Sequence, residues 1–438
     1  MKKGGFTIGQ CIVILVIIVL INILLSPIIK KTIINFKNKS YEIKKSEIIK
    51  AYDKCLDKKQ KGCSSIKFLL NNNYFHSKRN CKKNCLKNPL DDEYWDNCYV
   101  TYGGIYCSKA TNASQKIINL AKKGFKNNSC TEDLLYDKTK DNNLRYTGKK
   151  PCNYVSFNGD APKMITKYRL QNDKGFISED FWYTFDTFDE CNKAFTSNRK
   201  FYENNHFFCK EENVISGGWR IVGIMNNIDD GTGKKETRIK LMKDEPIGSY
   251  PISSNDSKED WSNSILMKEL NSDYLNNQLK ANTMWFKDMT YDYTRSLNKE
   301  SKYLIENAIW QINETKKNNN ASNTYKSEKE KKWTGKVGLI SLSDYAYAIG
   351  GKQRNKCLLS SFDNYTSNRC NETNYLFSNK TAWFINSHNG QIYVNKLGKI
   401  VKKEAGLSYN VRPTIYLKPN VLIIDGDGSL SSPYILGA

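Results

Sequence analysis

Thirteen cysteines are the residues of this 438-residue chain whose type and spacing most directly suggest chemistry. Cys11 lies in a long apolar run, where a thiol packs as a small apolar side chain. The other twelve lie in the polar part of the chain and are Cys55, Cys63, Cys81, Cys85, Cys98, Cys107, Cys130, Cys152, Cys191, Cys209, Cys357 and Cys370. Thiols placed in this way form disulfides or bind zinc.

An even number of cysteines in polar sequence is typical of a disulfide framework made in an oxidising compartment. Zinc binding is the alternative, because the spacing of Cys81 and Cys85 fits a ligand pair. However, the chain has no Cys-x-x-Cys pair, and His76, His206 and His388 show no ligand spacing. We therefore predict up to six disulfides and no zinc site, while the sequence does not define the full pairing.

Two cysteine pairs lie close together in sequence. Cys191 and Cys209 fall in one segment and are expected to close it as a disulfide. Cys357 and Cys370 are 13 residues apart across a turn-rich loop, which favours a structural disulfide over a reactive thiol pair. Reactive cysteines are therefore not expected at either place.

Neighbouring carboxylates are the other candidates for chemistry. Asp229-Asp230 and Asp244-Glu245 form such pairs, but adjacent acids at turns are usually solvated. Asp425 and Asp427 offer oxygen ligands for calcium, without the distal glutamate of an EF-hand. The chain has no GxSxG, HExxH or phosphate-binding glycine loop. We predict no catalytic residues, no cofactor and no enzymatic activity, with Asp425 and Asp427 as weak metal candidates.

The elements that position these residues begin with an apolar segment. Cys11 to Ile29 contains 19 residues without a charge, enough for a helix to cross the apolar part of a bilayer. Three interpretations are open: a cleaved secretion signal, a plain membrane anchor, or a leader joined to an anchor. The segment ends in Ser26-Pro27 followed by isoleucines and lysines, without the small-residue site at which a secretion signal is cleaved.

The third interpretation comes from a resemblance. The start Lys2–Thr7 (KKGGFT), followed by an apolar run, resembles type IV pilins and pseudopilins. The resemblance implies cleavage by a prepilin peptidase between Gly5 and Phe6, methylation of the new N-terminus, and a helix kinked at Pro27. Such pilins usually carry glutamate where this chain has Gln10, and this difference implies a minor or tip subunit. The implied partners are the membrane, the prepilin peptidase and the other pilin subunits of the filament.

Localisation and charge follow from this interpretation. We expect a single-pass protein of a bacterial membrane, with its C-terminal part outside the cell at the surface or on a pilus. The lysines that follow the apolar run argue for the opposite orientation, but the cysteine framework argues for export. The formal net charge is +23, which favours acidic partners such as acidic surface polymers, glycans or DNA. The lysines are scattered, so codon bias alone is the alternative explanation.

The chain is expected to divide into four parts: a leader (1–5), an N-terminal helix (6–60), a cysteine-rich segment (61–150) and a C-terminal domain (151–438) with an insertion at about 158–216. The predicted fold class is α+β. It combines a long N-terminal transmembrane or pilin helix, a disulfide-rich middle segment, and a C-terminal mixed domain with an antiparallel sheet and irregular loops.

Within the C-terminal domain, the segments 153–157 and 217–224 are expected to be strands, and 237–242 alternates as an antiparallel strand does. Apolar residues at helical spacing predict a helix at about 300–312. The polar, lysine-rich segment 313–332 is expected to be an exposed loop. Ser343 and Asp344 suit the start of a helix.

The C-terminal part, about 150–438, also resembles a domain of unknown activity found in surface proteins of low-GC gut bacteria. The resemblance is carried by Gly218-Trp219-Arg-Ile-Val-Gly, Lys243-Asp-Glu-Pro-Ile-Gly248, Asp260-Trp261, Trp333-Thr-Gly335, Leu342-Ser-Asp344-Tyr345, Val411-Arg412-Pro413 and Asp425-Gly-Asp-Gly428. The ending Asn410–Leu417 is similar to that of C-type-lectin-like and formylglycine-generating-enzyme folds. These similarities imply a domain used for binding.

Two functions are therefore expected. The first is a pilin-like minor or tip subunit of a type IV pilus or type II secretion-like filament, which displays a large disulfide-bonded head for adhesion or ligand binding. The alternative is a single-pass, membrane-anchored extracellular enzyme that acts on glycan or cell wall.

Overall fold

The computed structural model of the chain describes residues 46–75, 97–123, 134–173, 185–253, 260–276, 296–314, 318–377, 382–388, 391–396 and 399–437. Its contacts divide the chain into two units, Met1–Asp96 and Asn97–Ala438. The boundary expected at about 150 falls inside the second unit. The two units are described in turn.

In the first unit, residues 46–57 are helical (α1), and a second helix follows at Ile66–Asn71 (α2). The chain turns back between them, with Lys59 and Gly62 in the left-handed backbone region, at φ 52° and 83°. The turn brings Cys55 and Cys63 into a disulfide. Ser65 caps α2 by accepting a hydrogen bond from the backbone of Phe68.

The predicted fold class is wrong in its main N-terminal feature. The described residues contain no long N-terminal helix: α1 ends at residue 57, where the turn that closes the Cys55–Cys63 disulfide interrupts it. The described part of the chain is instead a mixture of short helices and many strands in several sheets. Residues 6–45 of the helix expected at 6–60 lie outside the described residues, and so do Gly5, Phe6, Gln10 and Pro27.

The predicted localisation is also corrected. Of the helices in the described ranges, none combines the length and the apolar character that crossing a membrane requires. The single-pass anchor with an extracellular C-terminal part is therefore not supported. The apolar run Cys11 to Ile29, on which that prediction rested, itself lies outside the described residues.

The second unit contains the strands. In chain order they are β1 (Cys98–Thr101), β2 (Gly104–Cys107), β3 (Thr111–Asn112), β4 (Leu134–Tyr136), β5 (Leu144–Tyr146), β6 (Tyr154–Ser156), β7 (Lys163–Asn172), β8 (Phe207–Ser216), β9 (Trp219–Asp229), β10 (Lys235–Lys243), β11 (Ser249–Tyr250), β12 (Ala308–Gln311), β13 (Lys332–Gly335), β14 (Val337–Gly338), β15 (Ala382–His388), β16 (Gln391–Lys396), β17 (Lys399–Glu404), β18 (Tyr409–Asn410), β19 (Thr414–Tyr416), β20 (Leu422–Asp425) and β21 (Tyr434–Gly437).

The helices of this unit are short. In chain order they are α3 (Ala113–Lys123), α4 (Phe188–Ser197), α5 (Arg199–Asn204), α6 (Ile265–Asn271), α7 (Asp273–Asn276), α8 (Lys299–Leu304), α9 (Ala321–Glu328), α10 (Leu342–Tyr347) and α11 (Arg354–Leu359). Single 3-10 turns are formed by Trp261–Asn263, Phe362–Asn364 and Cys370–Thr373.

A ten-stranded sheet organises the unit. Its strand order is β14-β19-β10-β9-β6-β21-β20-β3, with β5 paired to a second part of β9 and β4 paired to β5. The pairs are antiparallel except β21 with β6. β9 and β10 lie at the centre, and seven consecutive residues of β9, Trp219–Met225, are buried. The apolar run that predicted a strand at 217–224 thus forms the core of the sheet.

Smaller sheets surround the large one. Strands β11, β18, β15, β16 and β17 form a five-stranded sheet, while β12 and β13 form a hairpin. Buried tryptophans join these layers, because Trp310 of β12 and Trp383 of β15 belong to the same apolar core as Trp219 of β9. The helix expected at 300–312 is correct only in its first half, which forms α8. Its second half is strand β12.

The insertion expected at about 158–216 forms an arm. β7 and β8 form a two-stranded sheet through ten residue pairs, and α4 and α5 lie between them in sequence. The arm has its own small core of Leu170, Phe185, Cys191 and Tyr202. A capping box at Thr187 and Glu190 begins α4.

The predicted disulfides are confirmed where the structure describes the cysteines. Bonded pairs are Cys55–Cys63, Cys98–Cys107, Cys191–Cys209 and Cys357–Cys370. Cys152 is disulfide-bonded as well. Cys81, Cys85 and Cys130 lie outside the described residues.

Candidate ligand-binding pocket

A pocket of about 470 Å³ opens over four neighbouring strands of the large sheet, β19, β10, β9 and β5. The hairpin β12–β13, helix α9 and the start of α10 form its other walls. This volume lies within the range of about 300–1,000 Å³ that is ordinary for small-ligand sites. Charged and hydroxyl groups dominate its floor.

Asp344 lies at the centre of that floor. It is the third residue of α10, where it forms a capping box: Ser341 Oγ accepts from the Asp344 N–H (3.2 Å), and Asp344 Oδ2 accepts from the Ser341 N–H (3.0 Å). Asp344 Oδ1 also accepts from Arg145 Nη1 at 2.5 Å, and Oδ2 accepts from Lys240 Nζ at 2.5 Å. One carboxylate therefore starts a helix and pairs with two cations.

A glycine allows the two cations to converge. Arg145 of β5 and Lys240 of β10 lie on opposite sides of β9, and both are in register with Gly223. Gly223 has no side chain between them, and a Cβ atom there would lie 2.4 Å from the carbonyl oxygen of Leu144. The strand spacing and this glycine together direct both cations to the same carboxylate.

The charge states of this cluster reinforce each other. Burial by itself would raise the pKa of Asp344, but the charges of Lys240 and Arg145 hold it well below its usual value. Burial would lower the pKa of Lys240, and the Asp344 carboxylate raises it instead. The same carboxylate, with Asp137, raises the pKa of Arg145. All three groups therefore stay ionised at neutral pH.

Asp137 holds the loop before β5. Its Oδ1 accepts from the N–H of Thr139 and of Asn143, each at 3.0 Å, and its Oδ2 accepts from Arg145 Nε at 3.1 Å. Asn143 in turn donates to the Tyr325 hydroxyl at 3.1 Å. The loop is thus tied both to the ion cluster and to helix α9.

Glu328, the last residue of α9, is the second buried carboxyl of the floor. Its Oε1 accepts from the Ser343 N–H at 2.9 Å, and its Oε2 lies 2.5 Å from Ser343 Oγ. Ser343 Oγ is 3.0 Å from Ser341 Oγ. Burial raises the pKa of Glu328 to about 7, and the nearby Asp344 charge acts in the same direction. Glu328 therefore titrates near neutral pH.

Two aromatic rings form one wall. The centroids of Trp310 and Tyr416 are 4.7 Å apart, in an edge-to-face arrangement. Lys240 Nζ lies 5.1 Å from the Trp310 ring centroid and 5.3 Å from that of Tyr416. Trp310 Nε1 donates to the Gly335 carbonyl at 3.0 Å, which fixes the ring against the β12–β13 hairpin.

The mouth of the pocket is basic. Asp141 accepts from the Tyr325 hydroxyl at 2.5 Å and pairs with Lys329. Lys140, Lys235 and Lys332 are exposed pocket-lining residues, and they make no ion pair within the described ranges. A ligand that enters here meets three lysines before it reaches the buried cluster.

The carboxylate pairs singled out in the sequence are not brought together. Asp229 lines the pocket mouth, where its Oδ1 accepts from the backbone of Gly231 and Gly233. Asp230 accepts from Thr232 in the same turn. The other pair, Asp244-Glu245, lies elsewhere: Asp244 pairs with Arg412, and Glu245 accepts from Gly217.

The weak calcium candidates occupy a turn. Asp425 Oδ1 accepts from the N–H of Gly426, and Asp427 Oδ1 accepts from that of Ser429. Among the residues that the structure describes, no three His, Cys, Asp or Glu side chains are grouped as ligands for a metal ion.

Sequence reasoning missed the residues that build the pocket. Arg145, Lys240 and Glu328 carry no motif, and Glu328 lies in the segment 313–332 that was expected to be a loop. The signal that was present is the pair Ser343 and Asp344, which predicted a helix start there; the structure places the cap two residues earlier, at Ser341, which forms a capping box with Asp344. Nothing local indicated that this aspartate pairs with cations 199 and 104 residues away.

No known protein family, curated protein or solved structure matches this chain. The properties of the pocket therefore rest on its own geometry.

Replacement of Asp344 by asparagine is expected to destabilise the unit by about 3–5 kcal/mol, because it leaves two buried cations facing a neutral amide. Urea unfolding of the variant and the wild-type chain measures this difference. Asp230→Asn, in the exposed β9–β10 turn, is the matched control and is expected to change stability by less than about 0.5 kcal/mol. A loss of less than about 1 kcal/mol for Asp344→Asn would show that the cluster does not depend on this charge.

Glu328 gives the stability a defined pH dependence. Its pKa is about 7 when folded against 4.5 as the ordinary value, so the folded state binds this proton more tightly. The resulting stabilisation is complete below pH 4.5 and is lost as pH rises through 7, a change of about 3 kcal/mol. Glu328→Gln removes this term. The unfolding free energy of the wild type minus that of the variant is therefore expected to fall between pH 4.5 and 7.5, and a constant difference would contradict the assignment.

Proposed function

We propose that Asn97–Ala438 is a carbohydrate-binding unit, which the chain presents as a pilin-like subunit. The observation that carries the binding proposal is the pocket itself. It combines an aromatic wall with buried hydroxyl, amide, carboxyl and ammonium groups within about 470 Å³. Each of these groups belongs to the folded core, so the site is formed before a ligand arrives.

The chemistry of the lining fits a sugar better than an apolar ligand. Sugar hydroxyls donate and accept hydrogen bonds, and Ser341, Ser343 and Glu328 offer both kinds of partner within one wall. The C–H face of a sugar ring is apolar and packs on aromatic rings such as Trp310 and Tyr416. A closed pocket of this size admits the end of a glycan, whereas duplex DNA needs an open basic surface.

Hydrolysis of the bound glycan is the second candidate. One observation favours it: Glu328 and Asp344 line the same pocket, and their pKa values are shifted in opposite directions. Such pairs often divide the acid and base roles of an enzyme. However, both oxygens of Asp344 accept hydrogen bonds from Arg145, Lys240 and the Ser341 N–H. A carboxylate engaged in this way is poorly placed to attack a sugar or activate water, so we favour binding without turnover.

The filament part of the proposal rests on the N-terminal sequence alone. Gly5, Phe6, Gln10 and Pro27 carry the resemblance to pilins, and all four lie outside the described residues. The similarity of the C-terminal part to lectin-like folds likewise stays a prediction.

Filling the pocket tests the binding proposal. Gln311 is half-buried and lines the pocket from β12, so Gln311→Trp is expected to occupy the space of a sugar ring. Binding of neutral and acidic oligosaccharides, measured by calorimetry, is expected to weaken at least tenfold. Gln115→Trp, on the exposed face of α3, is the matched control and is expected to bind like the wild type. Equal binding by both variants, or no binding by the wild type, would refute a carbohydrate site here.

The N-terminal sequence and mass of the protein from its own cells test the pilin-like part. The resemblance predicts a mature chain that begins at Phe6 and carries a methyl group on its N-terminus. A chain that still begins at Met1 would remove the filament interpretation and leave the carbohydrate proposal unaffected.

A further inference from the structure

Once the ion pairs within the pocket are set aside, more positive than negative side chains line it. Lys240 and Arg145 neutralise Asp344 and Asp137, and Lys329 pairs with Asp141. Asp229 is held by backbone N–H groups at the mouth. The mouth lysines Lys140, Lys235 and Lys332 stay in excess, and they line the same pocket as the carboxyl of Glu328.

The ion cluster on the pocket floor beside Glu328 stays charged over the neutral range. The charged and phenolic groups of α9 and of the two helices packed against it are Tyr325 and Lys326 on α9, Asp344, Tyr345 and Tyr347 on α10, and Arg354 and Lys356 on α11; Lys329 directly follows α9, and Lys240 of β10 and Arg145 of β5 line the same pocket. Asp344 stays ionised, because its pKa is lowered, and Lys240 and Arg145 stay charged, because theirs are raised. The pKa of Tyr347 is raised to about 12 by burial, and that of Tyr325 is raised further. Glu328 is thus the member of this set whose charge changes near neutral pH.

Protonation of Glu328 also reverses a short chain of hydroxyls. When Glu328 is ionised, the Ser343 hydroxyl donates to it, across 2.5 Å. When Glu328 is protonated, its own O–H donates to Ser343 Oγ, which frees the Ser343 hydrogen for Ser341 Oγ, 3.0 Å away. Ser341 Oγ then accepts from Ser343 as well as from the Asp344 N–H, and because Ser341 lines the cavity, its own hydrogen becomes available to a ligand. The serines of the floor then offer a hydrogen-bond donor to a ligand, whereas they offer an acceptor when Glu328 is ionised.

Both effects act in the same direction on an anionic ligand. Protonation removes a negative charge from the floor, and it supplies a hydrogen-bond donor from the serines. A sugar carboxylate gains from both changes, while a neutral sugar gains little from the first. The mouth lysines attract the same carboxylate as it enters.

We propose that the pocket binds an acidic sugar, such as a uronic acid, together with a proton that Glu328 carries. This inference rests on the proposed carbohydrate function and adds the ligand class and its coupling to pH. Because binding and protonation are linked, each strengthens the other by the same factor. The dissociation constant is therefore expected to be flat at acid pH and to rise by up to about tenfold per pH unit above the pKa of Glu328.

The test measures dissociation constants of the full chain by calorimetry from pH 5.5 to 8.5. The probes are three acidic disaccharides (digalacturonate, dimannuronate and glucuronyl-N-acetylglucosamine) and their methyl esters, which keep the sugar and remove the charge. Glu328→Gln keeps a neutral donor toward Ser343 at every pH. Glu330→Gln makes the same change at an exposed position two residues along and is the matched control.

The expected result is that at least one acidic disaccharide binds the wild type and Glu330→Gln with an affinity that falls at least tenfold from pH 6.5 to 8.5. Glu328→Gln is expected to bind it tightly across the whole range, and the ester is expected to show a weaker pH dependence than the acid, because it gains only the serine donor. Binding of an acid with a flat profile, or a profile that Glu328→Gln leaves unchanged, would overturn the inference and leave carbohydrate binding in place. Binding of the methyl esters without binding of the acids would also overturn the inference and leave carbohydrate binding in place. If no disaccharide binds, the carbohydrate function itself fails, and the inference fails with it.

Discussion

The pocket depends on the pairing of one buried carboxylate with two buried cations. Arg145 and Lys240 reach the interior from strands on either side of β9, and without Asp344 their like charges would face each other in a medium that solvates them poorly. Asp344 is held in place by the backbone of α10 as well as by the cations. The sheet, the helix start and the cluster therefore require one another.

This ion pairing explains why position 240, in the buried part of β10, is occupied by a lysine. The central strands β9 and β10 contain consecutive buried residues. An apolar side chain at position 240 would pack there without leaving a buried polar group that needs a hydrogen bond. The Lys240 ammonium group instead lies beside the contacting rings of Trp310 and Tyr416 and pairs with Asp344, in a space that has charged groups at its floor and aromatic rings at its side. Glu328 shares that space, and burial, together with the nearby charge of Asp344, raises its pKa so that it retains its proton more readily than an ordinary glutamate.

The sequence revealed local features of the fold better than distant ones. The strands expected at 153–157, 217–224 and 237–242 correspond to β6, β9 and β10, because the residue pattern of a strand is a local signal. The disulfides Cys191–Cys209 and Cys357–Cys370 were foreseen for the same reason. Helix α9 was missed because its buried side chains include Thr324, Tyr325 and Glu328, which are held by hydrogen bonds rather than by an apolar stripe. The pocket was missed because its pairs join residues more than 100 positions apart.

A crystal structure of the full chain with the tightest-binding acidic disaccharide, grown below the pKa of Glu328, tests the account most directly. We expect the sugar ring against the wall of Trp310 and Tyr416, its carboxylate toward the mouth lysines and the floor serines, and Asp344 still paired with Arg145 and Lys240. A sugar bound elsewhere on the chain, or a pocket in which Arg145 and Lys240 are turned away from Asp344, would contradict it.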